Sequence, residues 1–288
     1  MRWWRRLFAR VVLASLTMAA GGLLAATLAR DAPGSSGDEQ LLDARLSRES
    51  VNAIRQDSTL HGNVASYYAG ALANLLRGEL GASRQLHRPV RQLLAERGAM
   101  TLRLVGAGLF AAWAVAFGLL LVTWLADSAA LDIAGMVGSG ALLCLPAGGI
   151  ALLLMLANRP TYWALTLVIF PKTYRYLRNL VRTAEQMPHV VTARAQGNSP
   201  ARVLFYHVIP VVGRELLALA GVSVGMAVGA AIPVEALSGT AGLGQLAWQA
   251  ALGRDLPVLL YVSLAVITCT VLANSGADVL ADERSLAA

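Results

Sequence analysis

Four histidines, His61, His87, His189 and His207, are the side chains best suited to proton transfer or metal ligation near neutral pH. None has a close partner of the kind that zinc binding or a nucleophile–base arrangement needs. The two cysteines, Cys144 and Cys269, each lie in an apolar run with no ligand spacing nearby, and read as small buried apolar residues. GxSxG, HExxH and Walker A patterns are absent; Gly242 and Gly244 form a glycine pair with no Lys-Ser/Thr after them. Arg214-Glu215 stands at the start of an apolar run, where snorkelling accounts for it. A proton-coupled carrier would want a carboxylate well inside such a run. We therefore expect no catalytic residue, no metal site and no cofactor on this chain, so that any work it does must be driven by another chain.

The composition says where these side chains are held. Of 288 residues, 56% are hydrophobic and 14% charged, against about 25% charged in a soluble domain. The apolar residues come in uncharged runs of bilayer length: Val11–Ala29, Leu104–Ala126, Ile133–Asn158, Leu216–Val234 and Leu256–Ala277. A sixth, TYWALTLVIF, is short and runs through Pro171 into Lys172, Arg175, Arg178 and Arg182, spaced as one helical face. Pro171 is expected to kink that helix where it leaves the membrane. The net charge of +7 is clustered at Arg2, Arg5, Arg6 and Arg10 and again between 171 and 206. Placing both clusters on the cytoplasmic side satisfies the positive-inside rule with six spans, both termini inside, and no need for a nucleic-acid partner.

Three regions follow. Residues 1–30 form an N-terminal transmembrane anchor, preferred over a signal peptide although Ala26-Thr27-Leu28-Ala29 would serve as a cleavage site. Residues 31–98 form an extracytoplasmic insert, with helical spacing between about 50 and 77 and an amphipathic helix from Pro89 into the second span. Residues 99–282 hold the remaining spans. Within them Gly221, Gly225 and Gly229 make a stripe expected to pack against a neighbouring helix. Trp248 belongs to a short interfacial helix after a flexible Gly-Leu-Gly.

The longest polar interruption in the second half is HVVTARAQGNSPARVLFYHVIPVV, 189–212. A helical run reaches Gln196, breaks at Gly197, and restarts after Asn-Ser-Pro to end at Pro210. A helix–glycine–helix of small side chains is a compact knob that a partner protein could grip.

Thr192–Gly197, TARAQG, followed ten positions after its glycine by His207-Val-Ile-Pro210, resembles the EAA motif of binding-protein-dependent ABC transporter permeases. The likeness is to the oligopeptide/dipeptide/nickel importers, and LLRGELGAS, RPVRQLLAERGAMTLRL, LCLP and GLGQLAWQAALGRDLPV agree with it in order. The chain departs from that pattern in four places, one of them the loop between the third and fourth spans, often long and here only about Asn158-Arg159-Pro160-Thr161. The motif's acid is missing around His189–Val191, Ala241-Gly242-Leu243-Gly244 stands for Pro-Gly-x-Gly, and DSAALD is acidic where a basic loop is usual. The resemblance implies an all-α integral membrane protein of six spans, like a type I ABC importer permease, in a bacterial inner membrane. It implies a cytoplasmic coupling segment, 183–210, whose Thr192, Ala193, Arg194, Ala195, Gln196, Gly197 and Pro210 meet an ATPase. Gly242 and Gly244 would lie on an outer-face loop facing a substrate-binding protein. Its implied partners are a second permease in a heterodimer, two ABC ATPase subunits that carry ATP and magnesium, and that binding protein. Peptides would be the cargo, or similar small solutes such as nickel chelates. A membrane scaffold or membrane-embedded enzyme is the alternative.

Overall fold

A computed structural model describes residues 64–253 and 255–287, with scattered positions between 12 and 27. Most of the expected anchor, and the insert up to residue 63, lie outside the described residues. The described elements are helical: α1 (Val64–Arg77), α2 (Val90–Ala126), α3 (Ala129–Leu143), α4 (Ala147–Leu156), α5 (Tyr162–Glu185), α6 (Pro188–Ala195), α7 (Pro200–Val203), a π-helical turn (Leu204–Val208), α8 (Gly213–Ser238), α9 (Leu243–Leu252) and α10 (Leu256–Ala287). Three of them, α2, α8 and the Leu256–Gly276 part of α10, are long and apolar enough to cross a membrane; a fourth span is added if α3 and α4 count as one. The chain divides into two units, residues 1–100 with 241–268, and 101–240 with 269–288, so that α2 and α10 each contribute to both.

In the first unit the amphipathic stretch after Pro89 is the start of α2 itself, continuous with the span. Val90 and Leu93 are buried with Tyr68 and Ala71 of α1, Leu246 and Ala250 of α9, and Val258 and Tyr261 of α10. A tight loop between α1 and α2 turns at Gly78 and Gly81, both at positive φ. Buried Asp255 anchors it. Ser83 Oγ donates to Asp255 Oδ2 at 2.5 Å, and the Gln85 backbone N–H donates to the same oxygen at 3.2 Å. The expected flexible Gly-Leu-Gly is instead a helix start, with Gly242 preceding α9, Gly244 in its first turn, and both buried.

In the second unit α5 packs against α3, α4 and α8. The expected uninterrupted run Ile133–Asn158 is two helices bent by 95° at Cys144–Pro146. Pro146 has no N–H to continue α3 and pushes the residue before it out of the helical region, so α4 restarts from an extended Pro146, ψ 143°. Pro171 behaves differently: α5 runs through it without a break, the proline buried in the helix interior. Of the glycine stripe, Gly225 makes the expected close approach, where a Cβ would come within 3.2 Å of Thr270 Cγ2 on α10. Gly229 faces open space.

Candidate functional site

Two prolines set the start of each half of the polar knob. Met187 is extended (ψ 139°), as a residue before proline prefers, and Pro188 occupies the first turn of α6, where its missing N–H costs nothing. The helix ends in backbone bonds from Gln196 N to Thr192 O and from Gly197 N to Arg194 O, both 3.0 Å. Gly197 takes φ +78°, the left-handed turn that an L side chain resists, and Asn198 Nδ2 donates to the Ala193 carbonyl at 2.9 Å. Ser199, extended before Pro200, then caps α7 by accepting from Arg202 N at 3.4 Å. A π-helical turn follows, closed by Ile209 N to Leu204 O at 2.9 Å. Pro210 can offer no N–H to the Tyr206 carbonyl, and the wider turn gives its ring room.

Burial sorts the knob's residues. Val190, Ala193, Val203, Leu204 and Val208 are buried, while Val191, Thr192, Arg194, Ala195, Gln196 and Gly197 are exposed. Ala193 turns inward at 3% exposure and supports the knob from beneath. Pro210 is exposed but lies beyond the π-helical turn, on the wall of an apolar cavity with Trp113 and Phe117.

A charged bracket ties this knob to the helices behind it. Asp132, in the first turn of α3 just before its uncharged run, accepts from Arg178 through both carboxylate oxygens, Nε to Oδ1 at 2.5 Å, and from Arg182 Nη2 at 3.2 Å. At the end of α5, Glu185 pairs with Arg182 at 3.4 Å and with Arg194 of α6 at 2.5 Å. The Arg194 guanidinium lies 5.0 Å over the Trp124 ring near the end of α2. Trp124 Nε1 in turn donates to the Pro200 carbonyl at 2.9 Å. α2, α3, α5, α6 and α7 are thus joined by one network at a single end.

Sequence reasoning picked out Thr192–Gly197 but not Asp132, Glu185 or Trp124. Two signals pointed to the acids, and none to Trp124. The acidic DSAALD falls, by span count, on the same side as the basic segment, and Glu185 is the one acid between 171 and 206. Asp132 neutralises part of the charge that α5 brings to this end of the unit.

Such a chain, with helical elements where described, apolar along its long helices and carrying a braced, exposed polar knob, is a multi-pass membrane protein. It belongs to the family of binding-protein-dependent transport system inner membrane components, whose model matches residues 96–282. That is a family of transport permeases rather than enzymes. The glutathione transport system permease protein GsiC of Pectobacterium atrosepticum is 29% identical over 229 residues, 73% of this chain and 74% of the relative. The di/tripeptide transport system permease protein DppB of Pseudomonas aeruginosa is 33% identical over 106 residues, 37% of this chain and 32% of the relative. A Brucella ovis protein named as a peptide permease is 31% identical over 100 residues, 35% of this chain and 31% of its own length. The matched stretch therefore spans about a third of the latter two relatives.

Proposed function

We propose that the chain is one of two permease subunits lining the translocation path of an ATP-driven importer for peptides or similar small solutes. The observation that carries this reading is the exposed α6–Gly197–α7 knob, bracketed to the ends of α2, α3 and α5. On this reading Thr192, Arg194, Ala195, Gln196 and Gly197 seat in an ATPase subunit, and Ala193 holds α6 at its depth. A push on α6 would pass through Arg194 and Glu185 into α5, and through Asp132 into α3, because charge-assisted pairs resist separation better than a loop would. Helices so tied move as a body, which is what rocking between inward- and outward-open states requires.

The proposed topology has six spans, the anchor at 1–30 and α5 being added to the four of bilayer length, with both termini and the 183–210 segment cytoplasmic. Residues 31–98 and α9 with Gly242 and Gly244 would then face the outside, where a substrate-binding protein delivers cargo. ATP and magnesium would be held by the two ATPase subunits, and a second, similar permease would complete the path as a heterodimer. Peptide cargo is supported by the names of the relatives, glutathione and di/tripeptide among them; nickel chelates remain within the resemblance alone.

The test is co-purification of the full chain with its nucleotide-binding partner. Gly197→Trp puts a large L side chain into a left-handed turn on the exposed knob, and should abolish the complex. An intact complex with normal transport would overturn the coupling assignment.

A further inference from the structure

The bracket uses only part of the basic face of α5. Arg178 and Arg182 are engaged by Asp132 and Glu185, but Arg175 and Lys172, about one and two turns before Arg178, enter no ion pair among the described residues. Both are exposed, and they share a cavity of about 430 Å³ with Tyr176, Asn179 and the Asp132-paired Arg178 on their own helix and with Met136 and Leu143 on α3. The positive-inside rule accounts for cations near this end. It does not account for two unneutralised cations, a phenol and an amide sharing one cleft with no acid on its wall.

The opposite wall has its own pattern. Along α3, Ile133, Met136, Val137 and Leu143 are exposed, while Asp132 and Ser139 face inward. An apolar ridge thus runs beside a cluster of anion-binding donors. That is the profile of a lipid molecule: an acyl chain along the ridge, a phosphate at the cations. Basic pockets between membrane helices take anionic headgroups for this reason.

We infer that the α3–α5 cleft binds an anionic phospholipid, with its phosphate held by Lys172 and Arg175 and assisted by Asn179, and an acyl chain laid along Met136 and Leu143. The site depends on the chain's lying in a membrane, not on the ATPase assignment, so the two can fail separately. On the proposed topology the lipid belongs to the inner leaflet.

Native mass spectrometry of the purified full chain, exchanged with dioleoylphosphatidylglycerol or dioleoylphosphatidylcholine, tests this. The anionic lipid should be retained preferentially. Lys172→Gln with Arg175→Gln should weaken that preference by roughly fivefold per side chain, about twentyfold together. Arg202→Gln, which removes a cation outside the cleft, should leave it unchanged, and Arg175→Lys should keep most of it. Leu143→Trp, which fills the cleft and keeps both cations, should also lower retention. Equal retention by wild type and the double glutamine variant would overturn the site. Displacement of the bound phosphatidylglycerol by millimolar glutathione would overturn the lipid as occupant and assign the cations to cargo.

Discussion

Asp132 shows how much one side chain settles. Its carboxylate is the common acceptor for Arg178 and Arg182, and its side chain is only 12% exposed. Asp132→Asn leaves the buried side of the Arg178 guanidinium without its counter-charge and Arg182 with Glu185 alone. We expect a loss of about 2 kcal/mol, read as a fall of roughly 5 °C in thermal unfolding in detergent. The Glu185–Arg194 pair is more exposed on its Arg side, so its worth lies in direction more than in stability. Glu185→Arg should therefore shift unfolding by less than about 1 kcal/mol, while lowering the solute moved per ATP hydrolysed in the reconstituted importer. Adding Arg194→Glu restores the pair with reversed polarity and should recover that ratio. Recovery of stability without recovery of the ratio would show the bracket to be structural only. Neither partnership was legible in the chain. Asp132 and Arg178 stand 46 residues apart, and only the packing of α3 on α5 brings them together.

At the scale of elements, local signals were readable and relations between helices were not. Pro188, Gly197 and Pro200 act on their own backbone or their neighbours', so the helix–break–helix could be placed from residue types alone. The start of α2 at Pro89 was legible for the same reason. The α3–α4 bend was missed because a run of apolar residues looks the same whether straight or broken, and Pro146 was weighed by hydropathy rather than by its missing N–H. Pro171, by contrast, sits buried inside a continuous α5, so a proline alone does not separate an interrupted run from an unbroken one. The bend is open to a direct check. Spin labels at Val137 and Leu153 should lie about 16 Å apart across a 95° bend, against about 24 Å along a straight helix. Pro146→Ala restores an N–H and should lengthen that distance; a straight-helix distance in the wild type would contradict the bend.

At the scale of the molecule, apolar helices supply the fabric and the braced knob at α6 and α7 supplies a polar handle. The proposed reading has that handle inside, receiving a push from another chain, since the sequence carries no Walker A pattern. Class was legible from run lengths and from the spread of the resemblance along the chain. Cargo was not, because selection in such a system is shared with other chains. The most direct measurement replaces Cys144 and Cys269 by serine, places one cysteine at Thr192 or Ala195, and asks what a short crosslinker captures in membranes containing the full importer. The account predicts capture of the nucleotide-binding subunit, with a yield that changes when ATP is bound. Labelling of these positions by an impermeant maleimide from the outer face, with no ATPase captured, would contradict it.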